Sequence, residues 1–191
     1  MKKIVIATHN AGKLREFQTL LAPLGIEAVS AGALGLPEPD ETALDFPGNA
    51  RIKALAAARA AQVPALADDS GLCVAALGGG PGVHSSRYAS GDYPAAFARI
   101  IAEAKAAGEW RAHFVCALCL AWPDGRTATY IGEAHGTLAP EPRGEGGFGY
   151  DAIFIPDGYE QSFAELGAGK EAISHRARAF AQLVSALTPK A

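Results

Sequence analysis

The chain has 191 residues, of which 49% are hydrophobic, and its 17 basic and 20 acidic residues leave a net charge of −3. This length and apolar content are typical of one domain with a sizeable core, so we expect a single domain over residues 1–191. The charge balance gives no reason to expect a nucleic acid polymer or a membrane surface as a partner. The N-terminal MKKIVIAT lacks the continued apolar run of a secretory signal, and no run is long enough to span a membrane, so we expect a cytoplasmic protein.

The first third of the chain alternates predicted strands and helices. KKIVIAT reads as a strand, and apolar residues at helical spacing from Leu14 to Leu24 predict a helix that Pro23 and Gly25 end. Residues 26–30 form a second predicted strand, and the acidic loop GLPEPDET follows it. An alanine-rich helix is predicted over residues 47–62, with Arg51, Lys53 and Arg59 on its polar positions.

The rest of the chain continues the mixture. VPALADDSGLCVAAL (63–77) predicts a strand, an acidic turn and a second strand, and residues 94–107 predict a helix. Residues 112–122 and 126–134 predict a hairpin, and 152–155 a further strand. A last amphipathic helix is predicted after Ser174. The pattern indicates an α/β fold in which a mixed twisted sheet is flanked by helices.

A C-x-x-C motif, Cys116 and Cys119, lies inside the apolar run FVCALCLAW. An odd spacing on a strand directs the two side chains to opposite faces of the sheet. We therefore expect two small buried residues and not a metal or redox pair.

Three glycines, Gly144, Gly146 and Gly149, have the G-x-G-x-x-G spacing of a dinucleotide loop. Such a loop needs a strand before it and a helix after it, whereas LAPEPR precedes these glycines and the strand-like YDAIFIP follows them. The glycines are therefore expected to shape a loop that does not grip phosphate. The phosphate-loop pattern G-x-x-x-x-G-K-[ST] is also missing from the sequence.

The turn THNAGK joins the first predicted strand to the first predicted helix. Its free backbone N–H groups, a hydroxyl, an amide and the Lys13 ammonium would face one side, which suggests an anion cradle. An ordinary capped turn with a surface lysine is the alternative.

Asp68 and Asp69 are adjacent acids at the predicted end of a strand, where they repel each other unless a cation or hydrogen-bond donors compensate. Because neighbouring strand residues point to opposite faces, we expect only one of them to reach a site while the other braces the turn or the facing helix. Magnesium is usually held by one or two carboxylates plus substrate phosphates, so the loop of Glu38, Asp40 and Glu41 could supply a second ligand.

Lys170, His175 and Arg176 place positive charge before and within the first turn of the last predicted helix. Cations oppose the helix dipole at this end, which favours a functional explanation such as binding of a polyphosphate.

These stretches, in this order, resemble the inosine triphosphatase-like non-standard purine nucleoside triphosphate pyrophosphatases. The matching segments are THNAGK, DET with Phe46 and Asn49-Ala50, ADDSGL, LGGGPGVHSSRYASG, GGFGYDAIF, and Lys170 with ISHR. Three positions depart from the family pattern: His84, Ala152 and Gly169.

The resemblance implies an enzyme with two lobes around a substrate cleft, usually a homodimer, that hydrolyses ITP, dITP and XTP to the monophosphate and pyrophosphate with Mg²⁺. Carried over, Asp69 is the proton acceptor and a metal ligand, Asp40 or Glu41 is a second ligand, and Asp68 and Lys13 are further catalytic candidates. The implied substrate-binding residues are Thr8, His9, Asn10, Ala11, Gly12, Lys13, Ser70, Phe148, Gly149, Tyr150, Asp151, Lys170, His175 and Arg176.

The residue types suggest how such a site would work. Phe148 offers an aromatic face for stacking of a purine, and the donor-only guanidinium of Arg176 suits a 6-oxo group better than the 6-amino group of adenine. A metal ligand is a poor base, so Asp68 is the alternative to Asp69 as the base. A nucleotide-binding sensor without turnover, and a pyrophosphatase of similar shape for modified pyrimidine or standard nucleotides, are the rival functions.

Overall fold

Six strands and seven α-helices make up residues 3 to 187, the part of the chain that the computed structural model describes. The strands are β1 (Lys3–Ile6), β2 (Glu27–Ser30), β3 (Ala65–Val74), β4 (Arg111–Ala121), β5 (Thr127–Leu138) and β6 (Phe154–Pro156). The helices are α1 (Ala11–Leu21), α2 (Phe46–Ala61), α3 (Ser85–Ala89), α4 (Tyr93–Ala107), α5 (Phe163–Leu166), α6 (Lys170–Ile173) and α7 (His175–Leu187). No helix between residues 3 and 187 combines the length and the apolar character that a membrane crossing requires.

The strands form one sheet in the order β2-β1-β3-β4-β5-β6. Strand β1 pairs in parallel with β2 and β3, whereas β5 and β6 are antiparallel. The sheet is therefore mixed, and the predicted α/β class is confirmed. The register pairs Val5 with Ala65 and Ile6 with Leu66, so β1 ends beside the segment of β3 that leads to Asp68 and Asp69.

The described chain divides into two compact units, each built from more than one segment. The first unit contains the residues up to Asp69, residues Cys116–Ile131, and the residues from Arg176 onward. The second unit contains Ser70–Val115 and Gly132–His175.

The first unit has two apolar clusters that follow the alternation of its strands. Ile6 and Leu66 pack with Phe17 of α1 and Phe180 of α7, whereas Val5 lies in the other cluster. That second cluster is lined by small residues of β3 and α2, namely Ala65, Ala67, Ala50, Ala54, Ala57 and Ala58. Cys116 belongs to the first cluster and Cys119 to the second, so the predicted separation of the two thiols is confirmed.

The second unit has an aromatic core. Phe114 and Phe154 meet edge to face with ring centroids 4.9 Å apart, and Phe154 lies 4.9 Å from Phe163. Ile100 of α4 is fully buried in the same cluster. This core supports the loop that runs from Gly144 to Asp151.

The predicted acidic turn between two strands is wrong, because β3 runs without a break from Ala65 to Val74 and contains both Asp68 and Asp69. A turn was predicted because Ser70-Gly71 follows the two acids, and because adjacent carboxylates repel each other unless they are compensated. The structure provides cationic partners for both acids, which removes this objection. The strand predicted at 152–155 begins later, at Phe154, because residues 151–153 form a 3₁₀ turn before β6.

Two glycines of the G-x-G-x-x-G spacing, Gly144 and Gly146, are explained by close packing. A Cβ atom on Gly146 would lie 2.6 Å from the carbonyl oxygen of Ala164 in α5, and one on Gly144 would lie 2.6 Å from the backbone nitrogen of Glu165. The loop thus lies directly against the backbone of α5, where no side chain fits.

We expect Gly146→Ala to lower the free energy of unfolding by about 1–3 kcal/mol, because the new methyl group overlaps a backbone oxygen that cannot move aside cheaply. Gly169→Ala is the matched control, since a Cβ atom there meets no atom within 4 Å. Urea unfolding of both variants checks this, and equal midpoints would contradict the packing explanation.

Candidate active site

The predicted anion cradle at THNAGK is largely a capped helix start. The side-chain oxygen of Asn10 accepts hydrogen bonds from the backbone nitrogens of Gly12 (2.8 Å) and Lys13 (3.0 Å). The hydroxyl of Thr8, which is buried, accepts one from the nitrogen of Asn10 at 3.1 Å. The N–H groups of Asn10, Gly12 and Lys13 are thus bonded within the turn, which agrees with the capped turn that was the alternative to an anion cradle. His9 and Ala11 are exposed beside them.

Asp68 lies in a buried network of ions in the first unit. Its Oδ2 accepts from Arg176 Nη2 at 2.9 Å and lies 3.0 Å from Lys13 Nζ. The other end of the Arg176 guanidinium donates to Glu16 of α1. Burial alone would lower the pKa of Arg176, but the charges of Asp68 and Glu16 raise it above its ordinary value. The guanidinium therefore stays charged, and two cations compensate Asp68.

Asp69 has a separate set of partners, from helix α2. Its Oδ2 accepts from Asn49 Nδ2 at 3.2 Å, and its Oδ1 lies 3.4 Å from Lys53 Nζ. The same ammonium donates to Glu41 Oε1 at 2.5 Å. Burial and the charge of Glu41 raise the pKa of Asp69, while Lys53, Lys13 and Asn49 oppose the rise.

The alternation predicted for the two acids is confirmed by these contacts. Asp68 contacts residues of α1 and α7, and Leu66, on the same face of β3, packs in the cluster formed by these helices. Asp69 contacts α2, and Ala67, on the opposite face, packs in the cluster that contains α2. One acid thus braces a buried ion network, and the other lies beside the acidic loop.

Glu41 is the member of the acidic loop that approaches Asp69. Both carboxylates have an oxygen within 3.4 Å of the same nitrogen of Lys53. Glu38 and Asp40 are exposed, and the structure does not bring Asp40 into this group. Oxygen donors of this kind suit a hard divalent cation such as Mg²⁺, so Asp69 and Glu41 fit a magnesium site better than Asp40 does.

The loop from Phe148 to Asp151 is organised by the buried carboxylate of Asp151 in the second unit. Asp151 Oδ2 accepts from the backbone nitrogen of Phe148 at 2.9 Å and from Lys170 Nζ at 2.7 Å. The ammonium of Lys170 lies 4.7 Å from the centroid of the half-exposed Phe148 ring. Asp151 and Lys170 therefore hold the aromatic ring in position.

The remaining predicted residues of the second unit also lie around aromatic groups. The Tyr150 hydroxyl donates to the carbonyl of Ser85 at 2.7 Å, and burial raises the pKa of this phenol. The His175 ring stacks on Phe114 with centroids 4.7 Å apart. Gly149 adopts a φ of +64°, which favours glycine, and Ser70 is half-buried on β3.

Sequence reasoning missed three residues of the first unit: Glu16, Asn49 and Lys53. A signal for Lys53 was present, because it shares helical spacing with Ala50, Ala54 and Ala57 on the buried face of α2. Glu16 follows Lys13 by one turn of α1. Arg176 was expected to read a base, but its terminal nitrogens donate to Glu16 and Asp68 and it is only 1% exposed.

We expect Asp68→Ala to destabilise the protein by about 3–5 kcal/mol, because it leaves Arg176 buried with one of its anions removed. The matched control is Asp157→Ala, which breaks the exposed ion pair of Asp157 with Arg111 and should change stability little. Chemical unfolding of both variants measures the difference. Equal, small losses would show that the Asp68 network is not needed for the fold.

Comparisons with known proteins identify one family. A model of the Ham1 family matches residues 4–186. A relative from Gluconobacter oxydans named "dITP/XTP pyrophosphatase" is 57% identical, over 93% of this chain and 86% of its own length. A relative of the same name from Rhodopseudomonas palustris is 54% identical, over 95% of this chain and 93% of its own.

Solved structures agree with this match. A HAM1 protein from Coxiella burnetii superimposes with a TM-score of 0.88 at 39% identity and covers 98% of both chains. The Ham1 protein of Staphylococcus aureus gives a TM-score of 0.86 at 35% identity over 97% of this chain and 98% of its own. The chain belongs to the Ham1 family.

Proposed function

We propose that this protein hydrolyses dITP, ITP and XTP at the bond between the α- and β-phosphates, giving the monophosphate and pyrophosphate. The observation that carries the proposal is the pair of buried acids on β3, each with its own cationic partners. Support also comes from the two bacterial relatives, which are 57% and 54% identical and are named dITP/XTP pyrophosphatase. The role would be to clear non-standard purine nucleotides from the nucleotide pool.

We assign the base in this reaction to Asp69, because the compensation of Asp68 by two cations outweighs the objection that a metal ligand is a poor base. Asp68 is compensated by both Lys13 and Arg176, and a carboxylate held by two cations has little tendency to take a proton. Asp69 instead shares one ammonium with Glu41, and burial disfavours its charge. A water molecule gives its proton to a carboxylate oxygen of Asp69 while the water oxygen attacks the α-phosphorus. The bond to the bridging oxygen breaks, and pyrophosphate leaves with the electron pair.

Asp69 and Glu41 would hold Mg²⁺, since each has a carboxylate oxygen close to the same nitrogen, the Nζ atom of Lys53. The bound ion would supply neutralisation of the charge that develops on phosphate oxygens. Lys13, whose side chain is partly exposed, offers an ammonium to the triphosphate from the start of α1. Asn49 keeps the Asp69 carboxylate oriented by donating to its Oδ2.

Phe148 would recognise the base of the nucleotide. The Lys170 ammonium lies against the Phe148 ring, and the Phe148 backbone nitrogen donates to the Asp151 carboxylate. An aromatic face of this kind binds a purine by stacking. We further propose that the protein works in the cytoplasm as a homodimer, an arrangement that light scattering of the purified protein tests.

The direct test is a panel of ITP, XTP, dUTP, GTP and ATP at equal concentration with Mg²⁺. We expect pyrophosphate and monophosphate from ITP and XTP at rates well above those for ATP and GTP. Asp69→Asn should lower kcat for ITP by about 10²-fold or more, since the base is lost, and Asp157→Asn is the control on an exposed acid. Orthophosphate release, preferred hydrolysis of dUTP, or stoichiometric binding without turnover would each favour a different function.

Phe148→Ala should weaken binding of ITP by about 10-fold, because stacking of one base contributes about 1–3 kcal/mol. Inhibition by inorganic tripolyphosphate, which has no base, should remain unchanged. Competition assays measure both constants. Equal weakening for the two ligands would show that Phe148 does not contact the base.

A further inference from the structure

Lys53 is a buried cation that lies between the two acids assigned to metal. Its ammonium is 2.5 Å from Glu41 Oε1 and 3.4 Å from Asp69 Oδ1, and the residue is only 6% exposed. On the same face of α2 it is flanked by the buried Ala50, Ala54 and Ala57, so its aliphatic stem packs among methyl groups. The charged end is thus directed to the carboxylates.

A magnesium ion bound by the same two oxygens would need contacts of about 2.1 Å to each of them. The ammonium of Lys53 already occupies the space next to both oxygens. A second, divalent cation is disfavoured there while the ammonium remains, because the two positive charges repel each other.

The distribution of charge in the ion cluster of the first unit also indicates that Lys53 hinders metal binding. The cluster contains the cations Lys13, Lys53 and Arg176 and the acids Glu16, Glu41, Asp68 and Asp69. Lys13 and Arg176 form ion pairs with Asp68, whereas Lys53 forms ion pairs with both Glu41 and Asp69. Without Lys53, two neighbouring carboxylates would attract a divalent cation by themselves.

A pocket that is lined by Lys53 is also lined by His9, Glu38 and Pro39. A polyphosphate would bring new acceptors for the ammonium at the moment when its metal needs the carboxylates.

We propose that Lys53 keeps Asp69 and Glu41 closed to free divalent metal until a nucleotide arrives, so that metal and triphosphate bind together. This inference rests on the proposed function for the identity of the metal ligands. It adds an order of binding: the free protein has low affinity for the metal alone. Lys53 thus controls the access of metal to Asp69 and Glu41 and also balances their negative charge.

The test is binding of Mn²⁺, a spectroscopic substitute for Mg²⁺, to the full chain without nucleotide, measured by the electron paramagnetic resonance signal of the free ion. We expect Lys53→Met to bind one Mn²⁺ at least about 10-fold more tightly than the wild type. Lys53→Arg, which keeps the cation, should behave like the wild type. Lys3→Met is the matched control, because Lys3 pairs with Glu27 at the surface.

The double variant Lys53→Met, Asp69→Asn should lose the gained site. Retention of tight binding in the double variant, or tight binding of Mn²⁺ by the wild type itself, would overturn the proposal. Circular dichroism checks that the variants fold. If Lys53→Met does not fold, Lys53→Gln takes its place, with the same expected gain in Mn²⁺ affinity. Because no nucleotide is present, this result is independent of the hydrolysis assay, whose failure would count against the proposed function alone.

Discussion

Two adjacent carboxylates inside a buried strand must each be compensated by positive charge or hydrogen bonds, and much of the first unit is arranged to meet this requirement. Strand alternation directs Asp68 and Asp69 to opposite faces, so the two acids form ion pairs with different cations. Asp68 therefore draws in Lys13 and Arg176, and Asp69 draws in Lys53 and Asn49. The chemical difference between the two acids follows from this separation.

The same arrangement recurs in the second unit on a smaller scale. Asp151 is a buried acid whose partners are the Lys170 ammonium and the backbone of Phe148, so its charge organises a loop instead of remaining available to a ligand. In both units a buried carboxylate orients the group that we assign to substrate or metal. Arg176 is part of this supporting structure, which makes its side chain costly to replace even without any contact to a base.

Period-two and helical patterns predicted the strands, the long helices and the opposite orientation of Asp68 and Asp69, because these depend on local geometry. The unbroken strand β3 was not predictable in this way, since its acids are tolerated only through cations that come from distant segments. The sequence also could not decide which acid of the loop lies near Asp69. Glu38, Asp40 and Glu41 all carry a carboxylate, and the conformation of the loop determines which of them approaches it. Lys53 was misjudged as a polar-face residue, although the alanines around it marked a buried face.

Strand β3 separates Asp68, which braces an ion network, from Asp69, which we assign to the metal. The most direct test is a crystal structure with Mn²⁺ and a non-hydrolysable α,β-imido analogue of ITP, in which anomalous scattering locates the metal. The account predicts a metal about 2.1 Å from oxygens of Asp69 and Glu41, with the Lys53 ammonium displaced from between them and Asp68 still paired with Arg176. A metal bound to Asp68, or a Lys53 ammonium still seated between the two carboxylates, would contradict it.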